Sequence, residues 1–167
     1  MISILLSIPI LSLVTIIQSA VVSRMPLLQG TADLVMVVII AWALQRRVKY
    51  PWQWALMGGI LMDFYSSFPF GVYTLSYLAL SVLAQLMSQR LWKFSFLIQL
   101  FLTLLGTMLV HIISTLVLFL QGTSLEILRV LQSITLPSLL LNLMLTLPVY
   151  IIMVDFAHQL YPEEVEL

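Results

Sequence analysis

The sequence contains no cysteine among its 167 residues. Disulfides, thiol nucleophiles, haem attachment and cysteine-ligated metals are therefore excluded. Charge is also scarce: 8% of residues are Asp, Glu, Lys or Arg, and seven basic side chains balance seven acidic ones. Without a basic excess the chain lacks the electrostatic footprint of a nucleic-acid binder or a polybasic membrane-surface protein, so no nucleic acid partner is expected. Phosphate-cradling glycine loops and HExxH pairs are missing as well. Internal repeats and low-complexity tracts are not visible.

What fills the chain instead is apolar, since 62% of its residues are hydrophobic, against roughly 45–50% in an ordinary soluble domain. A bilayer-crossing helix takes about 20 apolar residues, so six of them use most of the chain and leave only short loops. The apolar runs are longer than the ~10-residue alternating segments of an outer-membrane barrel, and helices alone then satisfy the backbone in hydrocarbon. The expected fold class is an all-α integral membrane protein. It is a six-transmembrane-helix bundle forming a single membrane domain over 1–167, with spans at about 2–22, 32–44, 52–66, 72–88, 94–120 and 134–156. The second and third spans are short. Apolar Leu27, Leu28, Phe68 and Phe70 at their ends extend them toward the interface, or the bilayer thins locally. The first segment lacks a basic n-region and exceeds the 7–15 apolar residues of a signal h-region, so it is expected to remain as a first span.

Orientation follows from Lys and Arg. Arg46, Arg47 and Lys49 fall in the second loop and Arg90 and Lys93 in the fourth, against Arg24 and Arg129 in the first and fifth. Loops two and four are expected to be cytoplasmic, with both termini inside; the acidic tail Glu163, Glu164 and Glu166 does not oppose this. Trp42, Tyr50, Trp52, Trp54 and Trp92 gather at the same boundary, where amphipathic rings prefer to sit. Between the last two spans, Thr123–Gln132 sets Leu125, Leu128 and Leu131 against Glu126 and Arg129, which fits either a short surface helix or a loop.

Polar residues within the spans are patterned. Thr74, Tyr77, Ser81, Gln85 and Ser88 share one face of the fourth span. Ser95, Gln99, Thr103, Gly106, Thr107, His111 and Ser114 share one face of the fifth, and Ser138, Asn142, Thr146 and Tyr150 one face of the sixth. These stripes are expected to point inward, serving interhelical hydrogen bonding and close packing or lining a polar cavity. In the third span, Ala55, Gly59, Asp63 and Ser66 form a small-residue stripe ending in a carboxylate. Asp63 lies about 18 Å of helix beyond Pro51, within the outer half of a ~30 Å hydrocarbon core, where a charge must be paired, hydrated or protonated. Its candidate partners are Arg24 and the hydroxyls of Tyr73 and Tyr77. It either anchors a helix end by capping the Ser66–Gly71 turn or contacts a partner or solute. His111 reads as a hydrogen-bonding core residue before a metal ligand or proton carrier. Asp33, Asp63 and Asp155 stand in unrelated contexts, which argues against paired-aspartate proteolysis, and no serine sits in a protease-like glycine setting. No catalytic residue, cofactor or metal site is expected, and the chain is not expected to be an enzyme.

The run Gly59-x3-Asp63-x2-Ser66-x4-Gly71-Val72, followed by Leu75 and Tyr77, resembles the rod shape-determining protein family MreD. The resemblance covers nearly the whole chain, including the Asp33-Leu34 entry to an apolar second span that ends in Trp42 and Arg46-Arg47. The family often carries a proline just before the position of Asp33, where this chain has Ala32. The resemblance implies a non-enzymatic scaffold in the bacterial cytoplasmic (inner) membrane, part of the cell-elongation machinery. Such a protein docks the single-span protein MreC and helps couple MreB filaments to the peptidoglycan synthase of RodA and a class B penicillin-binding protein. Gly59, Asp63, Ser66, Gly71, Asp33 and Arg24 are the residues expected to serve partner binding or structure, alongside contacts with membrane lipid. Self-association into a homo-oligomer is compatible with the sequence. The competing expectation is a substrate-binding subunit of an energy-coupling-factor vitamin transporter, similar in size, span number and polar interior, although the Ala-x3-Ala coupling motif such subunits often carry is not apparent.

Overall fold

A computed structural model describes residues 2–46, 48–90, 94–123 and 126–161 of the chain. Arg47, Trp92, Lys93, Leu125, Glu163, Glu164 and Glu166 lie outside the described residues. The described residues form six helices and no strand: α1 (Ile2–Ala20), α2 (Leu34–Ala43), α3 (Trp52–Tyr65), α4 (Val72–Arg90), α5 (Ser95–Leu120) and α6 (Ile127–Leu160). A 3-10 turn at Val22–Arg24 follows α1, and a π turn at Leu131–Thr135 interrupts α6 near its start. By length and composition three helices, α1, α5 and α6, are long and apolar enough to cross a membrane.

The last helix begins earlier than the sequence suggests. Of the segment read as a surface helix or loop, residues 127–132 form the first turns of α6. Pro137, four residues after Ser133, has no N–H to give the Ser133 carbonyl, which accepts instead from the Gln29 amide at 3.0 Å, and the Thr31 amide donates to Ser138 Oγ at 3.0 Å. Loop one thus lies on the start of α6. Gly30 permits this contact, because a Cβ there would stand 2.5 Å from the Ile134 carbonyl oxygen and 2.6 Å from the Ser138 amide nitrogen.

The second helix has a different role from that of a lipid-facing span. Nine of its ten residues, Val35 through Ala43, are buried, and it packs against each of the other five helices. A helix that is apolar all round belongs in an interior, and its β-branched run stays helical because its buried backbone has no other hydrogen-bond partners. Around it, Leu13, Ile16, Leu97, Ile112, Leu140 and Ile151 stand on the outside of α1, α5 and α6. This apolar exterior is far beyond what water tolerates and suits hydrocarbon.

The two ends of the bundle carry different residues. Gln85 near the end of α4 donates to the Lys49 carbonyl at 3.1 Å, which brings loop two and the last turns of α4 to one end. At that end Trp42 and Trp54 are fully buried and stack 4.4 Å apart, with Phe156 and Tyr161 tilted around Trp42. These two rings pack inside the bundle and not on its surface. Tyr50, Trp52 and Phe94 are exposed aromatics there.

Candidate functional site

Asp63 lies in the last turn of α3 and is 4% exposed. Its carboxylate reaches across the 66–71 loop to the start of α4, accepting from the amides of Gly71 at 2.9 Å, Tyr73 at 2.8 Å and Thr74 at 3.2 Å, and from the Thr74 hydroxyl. Those amides are donors that a helix start leaves unpaired, and a negative charge is favoured there by the helix dipole. The loop between is short and fixed. Ser66 ends α3 in an extended conformation and its Oγ accepts from the Phe68 amide at 3.3 Å, while Gly71, with φ +106°, makes a turn into α4 that a side chain would strain. Gly59, one turn before Asp63, brings the helices together. A Cβ at Gly59 would overlap the Thr74 Cα and stand 3.0 Å from its nitrogen. Gly59 and Asp63 therefore address the same residue, one by lacking a side chain and the other by binding its backbone.

The expected partners of Asp63 need correcting. The Tyr77 hydroxyl donates to Asp33, at 2.7 and 2.6 Å from its two carboxylate oxygens, and Tyr73 gives Asp63 its amide and not its hydroxyl. Arg24 is exposed and, among the described residues, pairs with neither aspartate. Asp63 is thus satisfied by three backbone amides and the Thr74 hydroxyl.

Asp33 organises a second cluster. Its side chain caps α2 by accepting from the Met36 amide at 2.9 Å, and its own amide donates to Asn142 Oδ1 at 2.6 Å. Asn142 Nδ2 donates to Thr107 Oγ1 at 2.8 Å, and Thr146 Oγ1 lies 3.3 Å from Thr103 Oγ1, so the stripes of α5 and α6 meet. Gln18 of α1, 3% exposed, brackets the same segment by donating to the Ala32 carbonyl at 2.7 Å and accepting from the Leu34 amide at 2.8 Å. His111 Nδ1 is 3.0 Å from Thr135 Oγ1. The stripes point inward, with Tyr77, Ser81, Ser88, Gln99, Thr103, Thr107, Ser114, Ser138, Asn142 and Thr146 all buried. Above Asp33 and Asn142 opens a cleft of about 380 Å³, reached past Ser66, Phe68, Tyr73 and His111. A second, largely apolar groove of about 490 Å³ runs between α5 and the start of α6, along Met108, Ile112, Leu116, Phe119, Ile127 and Leu131.

The family model described as rod shape-determining protein MreD matches residues 1–160. The chain belongs to the MreD family. Its part is accordingly in rod shape determination, and its apolar helices fit a membrane protein. No curated protein and no solved structure matches it. Among the described residues no group of three His, Asp or Glu could hold a metal ion, and no catalytic arrangement is assembled.

In this MreD-family chain the structure brings Gly59, Asp63, Ser66 and Gly71 into one α3–α4 junction and joins Asp33 to it through α4, which carries Tyr77 one turn beyond Tyr73 and Thr74. Arg24 stays apart on the surface, and Asp155 is exposed near the far end of α6. Gln18 was missed, although Thr15 three residues before it and buried Ser7 three turns before it mark the same face of α1 and could have pointed to it.

Proposed function

We propose that this chain is a non-enzymatic scaffold of six spans in the bacterial cytoplasmic membrane, a single membrane domain over 1–167 with both termini cytoplasmic. In this reading it docks the transmembrane helix of a single-span partner, MreC, and through it links MreB filaments to the peptidoglycan synthases RodA and a class B penicillin-binding protein. The match to the MreD family over residues 1–160 carries the reading. The five-to-two division of Lys and Arg supports the orientation. The short α2 and α3 then cross inside the bundle, shielded by longer neighbours, with the membrane thinned around them.

The junction of Gly59, Asp63, Ser66 and Gly71 fixes α3 against α4 and so shapes the surface offered to the partner. Exposed Arg24 and the partly buried Asp33 add polar contacts on the outer side. The apolar groove between α5 and α6 is the docking surface in this reading, because two apolar helices in hydrocarbon gain affinity only from matched shape and a few hydrogen bonds. The vitamin-transporter reading finds no support in the family match.

A salt series on the co-purified complex, run in parallel with the partner's transmembrane helix replaced by polyleucine, tests the proposal. Ion pairs at membrane depth are weakly screened, so the retained fraction stays high in salt and falls after the helix swap. Complete release by moderate salt, or unchanged binding after the swap, would place the contact in the loops and overturn the reading.

A further inference from the structure

The cleft above Asp33 differs in composition from the apolar groove that the scaffold reading uses to dock the partner's helix. Its volume of about 380 Å³ falls in the range of small-molecule and side-chain pockets. Its lining holds the Asp33 carboxylate, the rings of Tyr65, Phe68 and Tyr73, and the thioethers of Met36 and Met62, but no Lys or Arg among the described residues. Two of these lining rings pack together, Phe68 and Tyr73 lying 6.3 Å apart at 57°, and Tyr73 is braced from outside the cleft by Tyr77, which it meets edge-on at 5.7 Å. Among the described residues the Tyr73 hydroxyl has no hydrogen-bond partner.

We propose that this cleft is a binding site for an organic cation, an ammonium or guanidinium group seated between Asp33 and the faces of Tyr73 and Phe68. Carboxylate and aromatic faces attract such a group from two sides. The starts of α2 and α4 also point here and oppose a cation, but each contributes only about half a positive charge and is answered by a full carboxylate, Asp33 on α2 and Asp63 on α4, so the local field stays negative. Asp33 accepts from Met36 and Tyr77, yet a carboxylate has about four acceptor positions and keeps room for one more donor. The inference stands independently of the scaffold reading, because it needs only the cleft and its walls.

The test uses the full-length protein in phosphatidylcholine nanodiscs, with ethylguanidinium chloride and its neutral counterpart ethylurea as probes followed by saturation-transfer NMR. Ethylguanidinium binds and ethylurea does not. Asp33→Asn weakens binding at least tenfold while keeping the α2 cap, since asparagine caps as well as aspartate. Phe68→Ala, in a loop away from any helix core, weakens it about threefold. Equal binding of ethylurea, or unchanged binding in both variants, overturns the proposal. With the cation site established, partner retention in Asp33→Asn names the source of the cation: loss assigns it to a partner's Lys or Arg, and retention assigns it to a free amine.

Discussion

Removing the Asp63 carboxylate should loosen the α3–α4 junction by an amount the hydrogen bonds allow us to work out. Three amides and one hydroxyl donate to it at a site that is 4% exposed. In Asp63→Ala the Gly71, Tyr73 and Thr74 amides lose their acceptor, at about 1 kcal/mol for each donor left unpaired, and the helix dipole loses about 0.5 kcal/mol more. The sum is about 3–4 kcal/mol. In Asp63→Asn one oxygen remains to take two of the donors, so the loss is about 1–2 kcal/mol. Equilibrium unfolding in mixed micelles at increasing dodecyl sulfate fraction reads both. Wild type should be followed by the asparagine and then the alanine variant in falling stability. If both variants unfold within about 0.5 kcal/mol of wild type, the carboxylate is not what holds α4, and its place in the MreD-like pattern needs another cause.

Three other outcomes are expected. Gly59→Leu should cost more than about 3 kcal/mol and deplete folded protein on size-exclusion chromatography, because overpacking meets the Thr74 backbone and not a flexible side chain. Asn142→Leu should lower stability by about 2 kcal/mol in the same micelle titration, since it strips the Asp33 amide of its acceptor and Thr107 of a donor. On the cysteine-free background, single cysteines at Gln121 and Lys49 should respectively react with and resist an impermeant thiol reagent applied from outside; the inverse pattern would invert the topology.

The sequence made the helices and their inward faces readable because apolar runs and three-to-four-residue spacing are properties of single segments. It also marked Asp63 as a helix-end anchor or a partner contact, and its carboxylate accepts from the Gly71, Tyr73 and Thr74 amides at the start of α4. Which residue answers which aspartate was not readable. Tyr73 and Tyr77 lie on the same helix, and only the packing of α2 against α4 decides that the Tyr77 hydroxyl reaches Asp33. The burial of Trp42 and Trp54 was hidden for a similar reason. Indole rings near a cationic loop suit an interface, and stacking on each other becomes favourable only once α2 occupies the centre.

The position of α2 bears on how the chain is made. Ten residues give roughly 15 Å of helix, half of a ~30 Å hydrocarbon core, so the segment cannot settle in lipid as a span by itself when it leaves the ribosome. It must enter the membrane alongside α1 or α3 and wait for the rest. Because it touches every other helix, and because the Asp33 amide at its head finds its acceptor on α6, the centre of the bundle closes only when the last helix has been synthesised. Closure of the centre is therefore a late event even though α3 and α4 pack earlier, and a chain cut short before α6 presents an unsealed core to membrane proteolysis.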